Sequence, residues 1–127
     1  MATLTTIDGH EISFKPSSVV LITDHDTFTG AAVTCIYGIM KALVQTNEAA
    51  IDFMQRLRIT NHFARLSRAG GWPIWVNGEA VSAVNAPLPN SYVDGVNSVV
   101  TIEGYTFGIS EAPPVAIDAI NRHGGKL

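Results

Sequence analysis

One plan is written twice along this chain, and that repetition constrains its fold more than any single motif. Asp8-Gly9 precedes an alternating stretch ending at Phe14, a proline break and an apolar run at residues 19–22. Gly70-Gly71 likewise precedes Ile74, Val76 and then Val81, with Val19 and Val81 standing 62 residues apart. Farther on, V-T-C-I-Y-G ending at Gly38 matches V-V-T-I-E-G ending at Gly104, 66 residues later. At that second spacing Ala50, Ile51 and Asp52 match Ala116, Ile117 and Asp118, and Arg56 matches Arg122. The difference between the spacings falls in residues 85–97, where a hairpin tip tolerates insertion. An ordered set of matches broken by one insertion points to duplication.

Each copy is read from its turns outward. Asp8-Gly9 predicts a hairpin over residues 4–14 with a type I′ turn, which needs positive φ at both central positions. Beyond it His10, Ile12 and Phe14 share one face and Glu11, Ser13 and Lys15 the other. Pro16 breaks the strand. Residues 19–22 form a continuous apolar run, as in a central strand covered on both sides. Asp24, His25 and Asp26 begin a polar tip, residues 31–37 return as its partner, and residues 39–45 supply one more strand past a bend at Gly38. Thr46, Asn47 and Glu48 read as a helix start. A helix over about 48–58 follows, with Ile51, Phe53, Met54 and Leu57 as its apolar stripe. In the second copy the hairpin turns at Gly104, and a helix begins near Pro113-Pro114 and stops at Gly124-Gly125.

The expected fold is therefore α+β: two pseudo-repeats, about 4–59 and 66–123, each a curved antiparallel sheet followed by one short helix. A unit of about 60 residues has a marginal core of its own, so the repeats are expected to build one compact domain over 1–127. A hydrophobic fraction of 46% is ample for that core.

Charge narrows the function. The formal net charge is −3 and only 8 Lys and Arg are present, against the basic face that a nucleic-acid binder uses to release counterions. Arg56, Arg58, Arg65 and Arg68 read as a solvated face. Cys35, the sole cysteine, sits in a β-branched run and reads as a small buried thiol with no disulfide to make. No apolar run reaches membrane-spanning length and the N-terminus lacks a signal-peptide pattern. The expectation is a cytoplasmic protein with no membrane insertion.

At this point residues 68–120 resemble a known pattern. Arg68, Gly71, the strand Ile74, Trp75, Val76, Asn77, then Val81, Pro87, residues 99–102, Gly104, and Ile109, Ser110 and Glu111 are similar to the small bacterial flagellar proteins of the FlbD/SwrD-like family. The resemblance implies a small non-enzymatic accessory protein, without catalytic residues to carry over. The long Pro-containing loop, the tandem copy and the paired tryptophans depart from the family pattern.

Candidate chemistry is sparse. Asp24, His25 and Asp26 could hold a divalent ion through carboxylate and imidazole, but the sequence places no third ligand, and D-x-D is also ordinary turn chemistry. The glycine pairs lack phosphate-loop spacing, and Ser17, Ser18 and Ser110 lack a nucleophile-elbow setting. No catalytic residue and no cofactor is assigned. Trp72 shares parity with Ile74 and Val76 and reads as core, whereas Trp75 has the opposite parity and reads as an outward ring. With Tyr92 and Tyr105, Trp75 is a candidate interface anchor, since aromatic side chains dominate interface hot spots. The leading reading is a non-catalytic binding or regulatory module that forms a homodimer or meets another protein. The alternative is a small-ligand-binding or enzymatic domain with its pocket between the repeats.

Overall fold

A computed structural model describes residues 1–26, 32–40, 43–92 and 94–127, with residues 25, 26 and 32 described at the backbone only. The fold is α+β, with ten strands and two helices among the described residues. The chain separates into two compact units, Met1–Asn61 and His62–Leu127.

In the first unit β1 (Ala2–Thr5) and β2 (Glu11–Phe14) pair antiparallel with Leu4 opposite Ile12. Their turn is closed by Thr6 N donating to His10 O at 2.7 Å and Gly9 N donating to Thr6 O at 2.9 Å. Positive φ falls on Gly9 (+89°) and not on Asp8, so this is not the expected type I′ turn. The turn centres on Ile7 and Asp8, and Thr6 explains why. Its hydroxyl bonds the Asp8 carboxylate and accepts from His10 N at 3.0 Å, an ST-type closure that leaves only the glycine left-handed.

A 3-10 turn at Pro16–Ser18 leads into β3 (Leu21–Asp26), β4 (Ala32–Tyr37) and β5 (Val44–Thr46), a meander in which Asp24 faces Thr34 and Cys35 faces Gln45. Asp24 and its neighbours thus lie within a paired strand, while residues 27–31, which carry the rest of the expected tip, fall outside the described residues. The last strand covers Val44–Thr46, and residues 41 and 42 of the expected 39–45 lie outside the described residues.

Helix α1 (Ala50–Leu57) buries Ala50, Phe53 and Met54, and Phe53 stacks 6.0 Å from Phe14. Ile51, expected on the buried stripe, is 54% exposed; Phe53 takes the inward place. Burying a ring of that size contributes roughly 2–3 kcal/mol. Ala49 caps the helix without a side-chain bond, and left-handed Arg58 (φ +58°) ends it. The expected cap residues act earlier: Thr46 Oγ1 accepts from Glu48 N at 3.2 Å, an ST-turn ahead of the helix.

In the second unit β6 (Phe63–Ser67) pairs antiparallel with β7 (Pro73–Asn77). Arg68 N donates to Trp72 O and Gly71 N to Arg68 O, the bonds of the first hairpin at the 62-residue spacing. Here Gly70 and Gly71 are both left-handed, because Gly70 stands where the first hairpin has Asp8. A 3-10 turn at Gly78–Ala80, capped by Asn77 Oδ1 accepting from Glu79 N at 3.1 Å, opens the meander β8 (Val81–Asn85), β9 (Ser98–Ile102) and β10 (Tyr105–Ile109). Glu103 (+49°) and Gly104 (+84°) supply the paired positive φ of a type I′ turn between β9 and β10. Helix α2 (Pro113–Asn121) buries Ala116 and Ile120, 66 residues beyond Ala50 and Met54. Pro occupies its first turn, where amides lack intrahelical partners.

The tryptophans reverse the expectation. Trp75 is 7% exposed, because β7 is covered on both faces and Ile74, Trp75 and Val76 are all buried. Trp72 belongs to the turn and not to the strand, so alternation does not reach it, and it is 45% exposed. Among the described residues no helix is long and apolar enough to cross a membrane.

Candidate functional site

Two of the clefts in the first unit bear on function. The first follows the outer edge of β1. Thr6 N is spent on His10 O, on the β2 side of the hairpin, so strand alternation turns the N–H and C=O of Thr5 to the opposite side. There Thr46 Oγ1 donates to Thr5 O at 2.9 Å, tying the end of β5 to the end of β1. The resulting cleft of about 370 Å³ is lined by Thr3, Thr5, Thr6, Asn47, Glu48 and Arg56 among others. Arg56 reaches across it, donating from Nε to Glu48 Oε2 and from Nη2 to Glu48 Oε1, both at 2.9 Å. Its guanidinium lies 5.7 Å from the Phe53 ring centroid, a cation–π contact that helps fix the fork. The bond to Glu48 is the largest influence on Arg56 and raises its pKa, so the guanidinium is a permanent cation.

The second cleft, about 320 Å³, lies at the hairpin end of the same unit and is lined by Ile7, Asp8, Met40, Leu43, Val44 and Gln45 among others. Ile7 N donates to Gln45 O at 2.9 Å and holds the turn against β5. Ile7, Met40 and Leu43 all present large exposed apolar side chains here.

No family model, curated protein or solved structure matches this chain.

The residues singled out from sequence do not converge. Trp75 is buried, Tyr92 is 40% exposed, and Tyr105 is half-buried with its ring 6.3 Å from Phe107. Tyr92 lies instead against β10: a Cβ added at Gly108 would come within 3.3 Å of its ring and 2.9 Å of Val96. The long loop therefore packs back on its own strand. Asp24 accepts from Thr34 Oγ1 at 3.1 Å, across the β3–β4 pair. The side chains of His25 and Asp26 lie outside the described residues, and among the described residues no group of three or more His, Cys, Asp or Glu could hold a metal ion.

Sequence reasoning missed the Glu48–Arg56 fork. The two residues are eight apart, and Glu48 precedes the helix, so the i,i+4 rule gives no sign of it.

The second unit treats the corresponding strand edge differently. Ser67, 62 residues after Thr5, accepts from Ser110 Oγ at 3.1 Å, as Thr5 does from Thr46. Its amide donates to Glu111 Oε1 at 3.0 Å and Oε2 at 3.1 Å. Ser98 Oγ fixes the segment by donating to Glu111 O at 2.6 Å.

Proposed function

We propose that this chain is a small, non-catalytic binding module that self-associates in the cytoplasm, built by duplication of one β-rich unit. The observation that carries the reading is the apolar rim of Ile7, Met40 and Leu43, which are 46%, 58% and 42% exposed around one cleft. Three large apolar side chains gathered in one place are a cost in water that association removes. The duplication is supported by the common succession of elements and by the hairpin bonds repeated at the 62-residue spacing, Thr6 to His10 with Arg68 to Trp72 and Gly9 to Thr6 with Gly71 to Arg68. The resemblance to flagellar accessory proteins supports the non-enzymatic part of the reading. A small-ligand role is the second reading, supported by the polar cleft along β1.

Sedimentation velocity tests the self-association directly. The wild-type sedimentation coefficient is expected to rise with concentration, and Met40→Glu together with Ile7→Ser is expected to abolish the rise in a folded protein. A wild type that stays monomeric at every accessible concentration would overturn the dimer.

A further inference from the structure

The second unit shows what the edge of its first strand binds: both oxygens of a carboxylate, from its own Glu111, on the outward amide of Ser67. The first unit repeats the strand, the hairpin and the hydroxyl-to-carbonyl bond that fixes the edge. Its own nearby acid is used otherwise, since both Glu48 oxygens accept from Arg56. Strand alternation turns the Thr5 amide to this outer edge, and Thr5 lines an open cleft together with Arg56, whose guanidinium Glu48 holds in place, and with Thr3, Thr6 and Thr46.

We propose that this cleft is a binding site for a carboxylate group, held by the Thr5 amide and by Arg56. Charge-assisted bonds from backbone N–H and guanidinium to carboxylate are among the stronger hydrogen bonds proteins make. Glu48 tempers the site: it orients the Arg56 fork but offsets its charge, so binding is weak and becomes stronger when Glu48 is neutralised. The site does not rest on self-association; it lies along β1 and uses different side chains from the apolar rim. Its ligand is either a free small carboxylic acid or an acidic side chain on an extended peptide, and the chemistry at Thr5 is the same for both.

Amide-resolved NMR titration of the full chain with sodium acetate, with acetamide as neutral control and N-acetyl-glutamate amide as side-chain mimic, is the test. Acetate is expected to move the Thr5 amide saturably, while the Ser67 amide stays still because Glu111 occupies it. Glu48→Gln is expected to tighten acetate several-fold. Tighter binding of the blocked glutamate by tenfold or more assigns the ligand to a peptide side chain; equal binding assigns it to a free acid. In Glu111→Ala, acetate should begin to move the Ser67 amide and raise the melting temperature. Should that variant fail to fold, the wild-type titration decides alone. A Thr5 amide that does not respond, or that responds equally to acetamide, overturns the proposal.

Discussion

The two units share a succession of elements and differ in how they close, and the differences locate where each is rigid. Gly38 and Gly104 occupy matching positions, both left-handed, at φ +108° and +84°. Gly104 sits in open space on a two-residue turn, whereas a Cβ at Gly38 would lie 2.1 Å from Ser18 O. The same glycine thus answers a turn requirement in one unit and a packing requirement in the other. The second unit has an equivalent constraint elsewhere: a Cβ at Gly78 would lie 2.4 Å from His123 O, which fixes its 3-10 turn against the end of α2. Both units contain a close backbone approach, at different places in their succession of elements.

The largest test of this contrast is a pair of alanines. Gly38→Ala is expected to cost about 3 kcal/mol or more, from backbone collision added to left-handed strain. Gly104→Ala should cost about 1 kcal/mol, from strain alone. Urea denaturation of both variants measures the gap, and equal losses would show that Ser18 yields readily and that the glycines are equivalent.

The acids provide the next test. Glu111→Ala removes a carboxylate from a half-buried strand amide and is expected to cost about 1.5–3 kcal/mol, the usual range for a charged hydrogen bond. Glu48→Ala breaks an ion pair whose side chains are 26% and 43% exposed, and solvent screening keeps its cost below about 1 kcal/mol. Thermal melts that reversed this order would place the structural acid in the first unit.

How much of this was legible depended on the range over which each signal acts. The glycines at 71 and 104, the prolines opening α2 and the apolar runs act on neighbouring residues, and the chain folds locally as they direct; the glycine at 38 shows the bend but not the backbone of Ser18 that it makes room for. Trp75 misleads because alternation reports which face a side chain takes, not whether that face is covered; β7 is covered on both. Trp72 misleads because it lies one residue before the strand begins. The destinations of Glu48 and Glu111 were out of reach, since Glu111 meets an amide 44 residues away. Nothing in the surrounding residue types distinguishes an acid that caps a strand edge from one that pairs with arginine.

The smallest expected effect separates the two hairpin turns. The Thr6 hydroxyl, and less strongly the His10 imidazole, hold the Asp8 carboxyl below its ordinary value. A depressed folded pKa means that its contribution is present above the unfolded pKa of about 3.9 and is lost as pH falls through the lower folded value. Asp8→Asn should therefore flatten the acid limb of a stability–pH curve slightly. The second hairpin, with Gly70 in that place, has no such group. An unchanged acid limb would show that the Thr6–Asp8 bond does not persist in solution.

Cys35 adds something practical. It is the chain's sole thiol, 2% exposed on β4, with Gln45 Nε2 donating to its sulfur at 3.7 Å from the neighbouring strand. A maleimide or disulfide reagent can reach it only when the packing that covers β4 opens. The native protein thus carries a built-in clock: its labelling rate in the absence of denaturant counts openings of the first unit, molecule by molecule, without any engineered probe.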